Sequence, residues 1–227
     1  MKLIIDTRMP KEIKEYLQTY GQLIEIQPQS TTYEEISAHP DIYFCKINNT
    51  LFQAPNINLK LGIPGTTQIQ NKYPNDIPYN ICQIGNNIIH NFKHTDPKVH
   101  QYINTQKLNK IQVNQGYAKC STIPTSQNSC ITSDPGISKT LKSQNIDTLL
   151  LANEAIHLLN KNGQKTKMNG FIGGATAIIH NTFILFGDIQ NITQKQLLIN
   201  HIHQHNLTLK NFPNQPPTDY GGIIITN

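Results

Sequence analysis

The chain has 227 residues, 37% hydrophobic and only 15% charged, with a formal charge of +5 and a pI near 8.9. The length suits one domain, 1–227, and short apolar runs such as Thr148 to Leu151 and Phe183 to Phe186 exclude disorder. The positive charge invites a nucleic-acid partner, but the lysines are scattered and Arg8 is the sole arginine, so nucleic-acid recognition is not expected.

The N-terminal stretch from Met1 to Asp6 meets a charge before any apolar core forms, which is not signal-peptide patterning. No run of about 18 apolar residues exists, so no transmembrane helix is expected. Cys45, Cys82, Cys120 and Cys130 show no CxxC spacing and read as reduced thiols of a cytoplasmic chain.

Along the chain, Lys2 to Ile5 reads as a strand, followed by Asp6, a helix from Pro10 to Tyr20 and a strand from Leu23 to Gln27. Asp41 to Ile47 and Leu51 to Ala54 form a hairpin across Asn48-Asn49; the segment Pro55 to Pro74 then shows no helix. Tyr79 to Ile84 and Asn87 to Asn91 pair across Gly85-Asn86, whose residues tolerate positive φ. Asp96-Pro97 opens a helix to Thr105, and Lys110 to Val113 returns as a strand.

The phrase recurs at Cys120 to Thr125 and Ser129 to Ser133, with Asp134-Pro135 opening a helix to Ser143 and a strand from Ile146 to Leu151. Asp suits an N-cap because its carboxylate accepts an orphan helical N–H, and Pro at the first helical position gives up no bond. A further copy runs from Ala175 to Ile179 and Phe183 to Phe186 through Asp188, a helix from Ile192 to His205 and a strand from Leu207 to Lys210. Gly222 to Thr226 supplies the strand that the N-terminal copy lacks. The expectation is therefore an α/β propeller of five ββαβ units, closed across the two termini.

Phrases such as His39-Pro40-Asp41-Ile42, Tyr73-Pro74-Asn75-Asp76, Gln115-Gly116-Tyr117-Ala118-Lys119-Cys120-Ser121 and Gly170-Phe171-Ile172-Gly173-Gly174-Ala175 resemble a bacterial family of the pentein fold. That fold is shared by the guanidino-group modifying enzymes, such as arginine deiminase and dimethylarginine hydrolase. The resemblance implies a pocket on the pseudo-fivefold axis. In the enzymes a Cys attacks the guanidinium carbon, a His handles protons, and carboxylates hold the cation.

The enzymes place their Cys at the start of the last hairpin, where this chain has Asp219-Tyr220-Gly221-Gly222. They place their His at the start of the preceding unit, where it has Gly170-Phe171-Ile172-Gly173-Gly174. The usual catalytic positions are therefore not matched. Asp41, Asn75, Asp76 and Asp219 stand at unit entries and are the candidate substrate-binding residues for a small guanidino or amine cation. Cys120, beside Lys119, and His39 are the candidate relocated nucleophile and base. The alternative readings are a hydrolase using that relocated Cys, and a non-enzymatic protein that docks on a large partner. The ribosome anti-association factor of archaea and eukaryotes is of this second kind.

No cofactor or metal is expected. Cys45, Cys82 and Cys130 read as core residues, and His90 and His94 as surface residues. His201 and His205 have metal-like spacing but no acid nearby in sequence, so they read as a solvated helix face. The glycines from Gly170 to Gly174 read as positions of close backbone approach.

Overall fold

The computed structural model describes residues 1–226. Strand pairing gathers the described residues into six three-stranded sheets. Five obey one rule: two strands form an antiparallel pair, and a third lies parallel to the second. In chain order these are Phe44–Ile47, Thr50–Gln53 and Ile63–Pro64; Cys82–Ile84, Asn87–His90 and Asn109–Gln112; then Thr122–Ser126, Ser129–Thr132 and Asp147–Leu150. Thr176–Ile179, Thr182–Leu185 and Thr208–Lys210 follow. The fifth joins the chain ends, with Ile224–Thr226 antiparallel to Lys2–Asp6 and Gln22–Ile26 parallel to it.

A parallel return cannot be made by a tight turn and needs a crossover. Helices Lys11–Gln18, Pro97–Thr105, Pro135–Ser143 and Lys195–Gln204 provide four of these crossovers. The remaining unit crosses without a helix. Gln53 instead accepts the N–H groups of Leu61 and Gly62, each at 2.8 Å, and pins the segment beside its strand.

Asp96 and Asp134 cap their helices as expected, accepting N–H groups two or three residues on, with Pro97 and Pro135 in the first turn. The other two expected Asp starts differ. Asp188 caps only a short 3-10 turn, Ile189–Asn191, and the following helix begins at Lys195. Glu154 serves its entry instead, accepting Thr193 N–H at 2.7 Å and Gln194 N–H at 2.9 Å. Asp6 caps nothing, because its carboxylate is committed to Arg8.

Two hairpins also start later than the sequence suggests. Pro40–Tyr43 and Ala118–Ser121 each form one helical turn ahead of the strand, so Asp41 and Cys120 sit on turns rather than strands. Pro40 favours this, since its fixed φ is helical. His90 is buried rather than on the surface, with Nδ1 3.2 Å from the Asn80 carbonyl, and burial pushes its pKa down to about 4. Cys45, Cys82 and Cys130 are buried free thiols, as expected.

The sixth sheet, His157–Leu159 with Lys165–Asn169 antiparallel and Thr218–Asp219 parallel, was not foreseen. It matters because it carries Asp219 to the site described below. No helix of the described residues is long and apolar enough to cross a membrane.

The caps differ in reach. Asp134→Ala removes a helix cap and is expected to cost about 1 kcal/mol in urea unfolding. Asp96 also accepts Thr66 N–H and Thr67 N–H at 2.7 Å each, holding the segment that follows the return strand Ile63–Pro64. Asp96→Ala is therefore expected to cost at least about 2 kcal/mol, since those amides lose their acceptor as well.

Candidate functional site

The two one-turn helices bring Asp41 and Cys120 together from residues 79 apart in sequence. Cys120 Sγ donates to Asp41 Oδ2 across 2.8 Å, with both side chains buried. Asn80 braces the pair. Its Oδ1 accepts Lys119 N–H at 2.7 Å and Cys120 N–H at 3.2 Å, while its Nδ2 donates to the Asp41 carbonyl at 3.1 Å. The turn carrying the thiol is thereby fixed by one side chain of the neighbouring unit.

Burial dominates the ionisation of this group. It raises the Asp41 carboxyl to about 6, against the pull of Lys119 and the Cys120 contact. The Cys120 thiol is pushed well above its usual range by burial first, then by Asp41 and Asp219. Lys119 does not activate it. Lys119 and Cys120 face different hollows, since Lys119 lines a hollow of about 650 Å³ beside Lys46 and Gln83. Cys120 lines another of about 490 Å³.

Asp219 completes the group from the sixth sheet. Its Oδ2 accepts Phe171 N–H at 2.8 Å, and its Oδ1 accepts Gly221 N–H at 2.9 Å. Burial, then repulsion from Asp41, raises its pKa to about 7. Gly174 is required beside it, because a Cβ there would strike the Asp219 carboxylate.

His39 lies between two acids, its Nδ1 3.6 Å from Asp219 Oδ1 and its Nε2 3.9 Å from Asp6 Oδ2. Neither ring nitrogen has a hydrogen-bond partner. Burial and the Arg8 charge hold its pKa well below the usual imidazole value, so the ring is neutral. Asp6 itself is matched by Arg8, whose guanidinium donates Nε to Oδ1 at 3.0 Å and Nη2 to Oδ2 at 2.6 Å.

Of the expected residues, Cys120, His39, Asp41 and Asp219 meet in this cluster. Asp76 joins at one remove. Buried, with a raised pKa caused chiefly by desolvation, it accepts the Tyr117 hydroxyl at 2.6 Å. Tyr117 lines the same 490 Å³ cavity as Cys120 and Asp219. Asn75 does not join; it is exposed and lines a separate hollow with Lys93 and His94. Asp6, Arg8, Asn80 and Tyr117 were missed.

The cavity has aromatic walls, Tyr33, Tyr73, Tyr117 and Phe171, with Cys120 and Asp219 among its lining residues. Tyr33, Tyr73 and Met168 are among the most exposed large apolar side chains, and all three line this one cavity. Exposed apolar surface gathered around a pocket with buried acids is the pattern of a ligand site. His39, Asp41 and Cys120 also offer one ligand atom each within 4.8 Å of one another, a spacing that could hold a metal ion.

The chain belongs to a family of unknown function, DUF6873, whose profile matches residues 4–224. No curated protein matches it. In fold it is similar to a dimethylarginine dimethylaminohydrolase solved as an adduct with 4-chloro-2-hydroxymethylpyridine. There identity is 7% and the TM-score 0.52, covering 93% of this chain and 92% of that one. It is also similar to the dimethylarginine dimethylaminohydrolase of Pseudomonas aeruginosa, a cysteine-to-serine mutant complexed with citrulline, at 7% identity and TM-score 0.50 over 92% and 91%. An amidinotransferase of the saxitoxin biosynthetic pathway from Microseira wollei matches at 10% identity and TM-score 0.50 over 93% and 88%. The chain therefore has the mixed α/β fold of the guanidino-group modifying enzymes.

Because burial raises Asp41 from 3.8 to about 6, the folded chain keeps a proton that the unfolded chain has released. This contribution to stability is full below about pH 4 and is lost as pH rises through about 6. Relative to Asp41→Asn, the wild type is expected to lose on the order of 2 kcal/mol between pH 4 and 7. Urea unfolding of both proteins across that range measures it, and parallel curves would contradict it.

Proposed function

We propose that the five like units close into a pentein ring and that the aromatic-walled cavity on its axis binds a small cationic metabolite, a guanidino compound or an amine. One observation carries this reading: Asp41 and Asp219 are buried beside one thiol, their carboxyls raised to about 6 and 7. Arg8 is engaged by Asp6, His39 is neutral, and Lys119 lines the other hollow. A cation in the cavity would relieve the repulsion between the carboxylates and let both ionise.

The walls support the same chemistry. Aromatic faces attract a delocalised cation, and a carboxylate can accept two hydrogen bonds from a guanidinium. A volume of about 490 Å³ suits a ligand of metabolite size. The dimethylarginine hydrolases and the amidinotransferase of like fold carry guanidino chemistry in their names.

The measurement is thermal unfolding against a panel of guanidino compounds, amines and amino acids. A ligand at about 100 times its dissociation constant should stabilise the native state by about 2.7 kcal/mol. That shift should shrink strongly in Asp41→Asn and Asp219→Ala. Silence across the panel would remove the cation reading for those compounds and favour docking on a large partner.

Cys120 supports a second reading, hydrolysis through a relocated nucleophile, because it alone of the four cysteines lines this cavity. A bound cation would lower its thiol pKa and place positive charge beside it. A cationic alkylating amidine should then label Cys120 selectively and faster than neutral iodoacetamide, with Cys45, Cys82 and Cys130 spared in the mass spectrum. Equal or absent labelling by both reagents would rule this out.

A further inference from the structure

A second cluster of ligating side chains lies away from the cavity, where Asp147 begins the return strand Asp147–Leu150 and meets the end of helix Lys195–Gln204. His201 and His205 are four residues apart and share one face of that end. His201 is not on a solvated face: it is buried, its Nε2 3.1 Å from Thr125 Oγ1 and 3.2 Å from Ser129 Oγ. His205 turns its Nε2 into the same space, 2.9 Å from Ser129 Oγ and 3.0 Å from Asp147 Oδ2. The two rings stand 4.5 Å apart between centroids. The acid that the sequence lacks near these histidines is thus supplied by another unit.

We propose that Asp147, His201 and His205 form a divalent transition-metal site of the zinc class that clamps the return strand of one unit to the helix of the next. One nitrogen from each imidazole and one carboxylate oxygen lie within 4.8 Å of one another. Zinc holds such atoms at about 2.0–2.2 Å, which sets their mutual separations near 3.3 Å, so a modest side-chain rotation closes the site. Two imidazoles and one carboxylate suit zinc, cobalt or nickel, and suit calcium or magnesium poorly.

Two features fit the assignment. The helix end presents carbonyl partial charge that favours a cation. The Asp147 side chain is 48% exposed, giving an entry path and a fourth position for water. The Thr125 and Ser129 hydroxyls meet the same Nε2 atoms, so a metal bound through them takes the place of these hydrogen bonds.

The test uses the full chain after treatment with a chelator. Zinc titration by calorimetry should show one site per chain and a raised Tm. Cobalt(II) should give the absorption of a four-coordinate nitrogen–oxygen site without a sulfur-to-metal band. His205→Ala should abolish binding, Asp147→Asn should weaken it at least tenfold, and Cys120→Ser should leave it unchanged. No zinc binding by the wild type would overturn the proposal and leave a hydrogen-bond network only. Binding that survives both His205→Ala and Asp147→Asn would also overturn it. So would a sulfur-to-cobalt band lost in Cys120→Ser, which would put the metal at His39, Asp41 and Cys120.

Discussion

The pairing of Arg8 with Asp6 is the interaction on which the site's geometry rests. The guanidinium is nearly buried, with a side-chain exposure of 6%, and a buried charge is tolerated only when paired and fully hydrogen-bonded. Beyond Asp6 it donates to the carbonyls of Leu159 and Asn160, at 2.9 and 3.2 Å, and to that of Glu35 at 3.0 Å. One planar group thereby ties the N-terminal strand to the sixth sheet and to the segment before His39. Glu35, Ile36 and Leu158 line the cavity on those same segments. A lysine has one point of charge and could not span so many directed acceptors. The same guanidinium helps keep the adjacent His39 ring neutral.

Around this clamp the site is assembled from short pieces with no slack between them. Asp219 fits because Gly174 leaves it room, and the backbone at Gly221 passes against His39 with φ near 70°, where a side chain would collide. Four of the nine buried polar side-chain atoms without partners among the described residues, Asp41 Oδ1, Asp76 Oδ1 and both His39 nitrogens, belong to residues of this region. Buried polar groups are ordinarily satisfied, so four unpaired atoms on three of its residues leave the region with spare hydrogen-bonding capacity.

The repeated hairpins, their Asn and Gly turns and the Asp-Pro helix starts were legible because each rests on local chemistry. The turns at Asn48 and Gly85 do adopt positive φ, as their residue types permit. Asp41, Cys120 and Asp219 were legible only as unit entries, which gives position but not contact. The sixth sheet was invisible: its strands are two to five residues long, and Lys165–Asn169 is polar and mostly exposed, so no apolar alternation betrays it. Asn80 carried no signal in a chain rich in asparagine. Arg8 did carry one, since a sole arginine two residues after an Asp is unusual, but its acceptors are backbone carbonyls that no sequence pattern marks. Asp147 escaped for a related reason, because it meets His205 through tertiary packing across 58 residues.

The sheet shared by the two ends of the described chain has a kinetic meaning. Lys2–Asp6 can pair with Gln22–Ile26 as soon as the first helix forms, since only a short crossover separates them. Its other edge waits for Ile224–Thr226, which is synthesised much later. Until then a strand containing Leu3, Ile4 and Ile5 presents open N–H and C=O groups to any neighbouring chain. The contact that joins the two ends is also the longest-range pairing in the sheet system, and such contacts are slow to form. Synthesis thus passes through a nascent state whose first strand is sticky until its partner emerges, a vulnerability for chaperones to cover rather than one the folded protein displays.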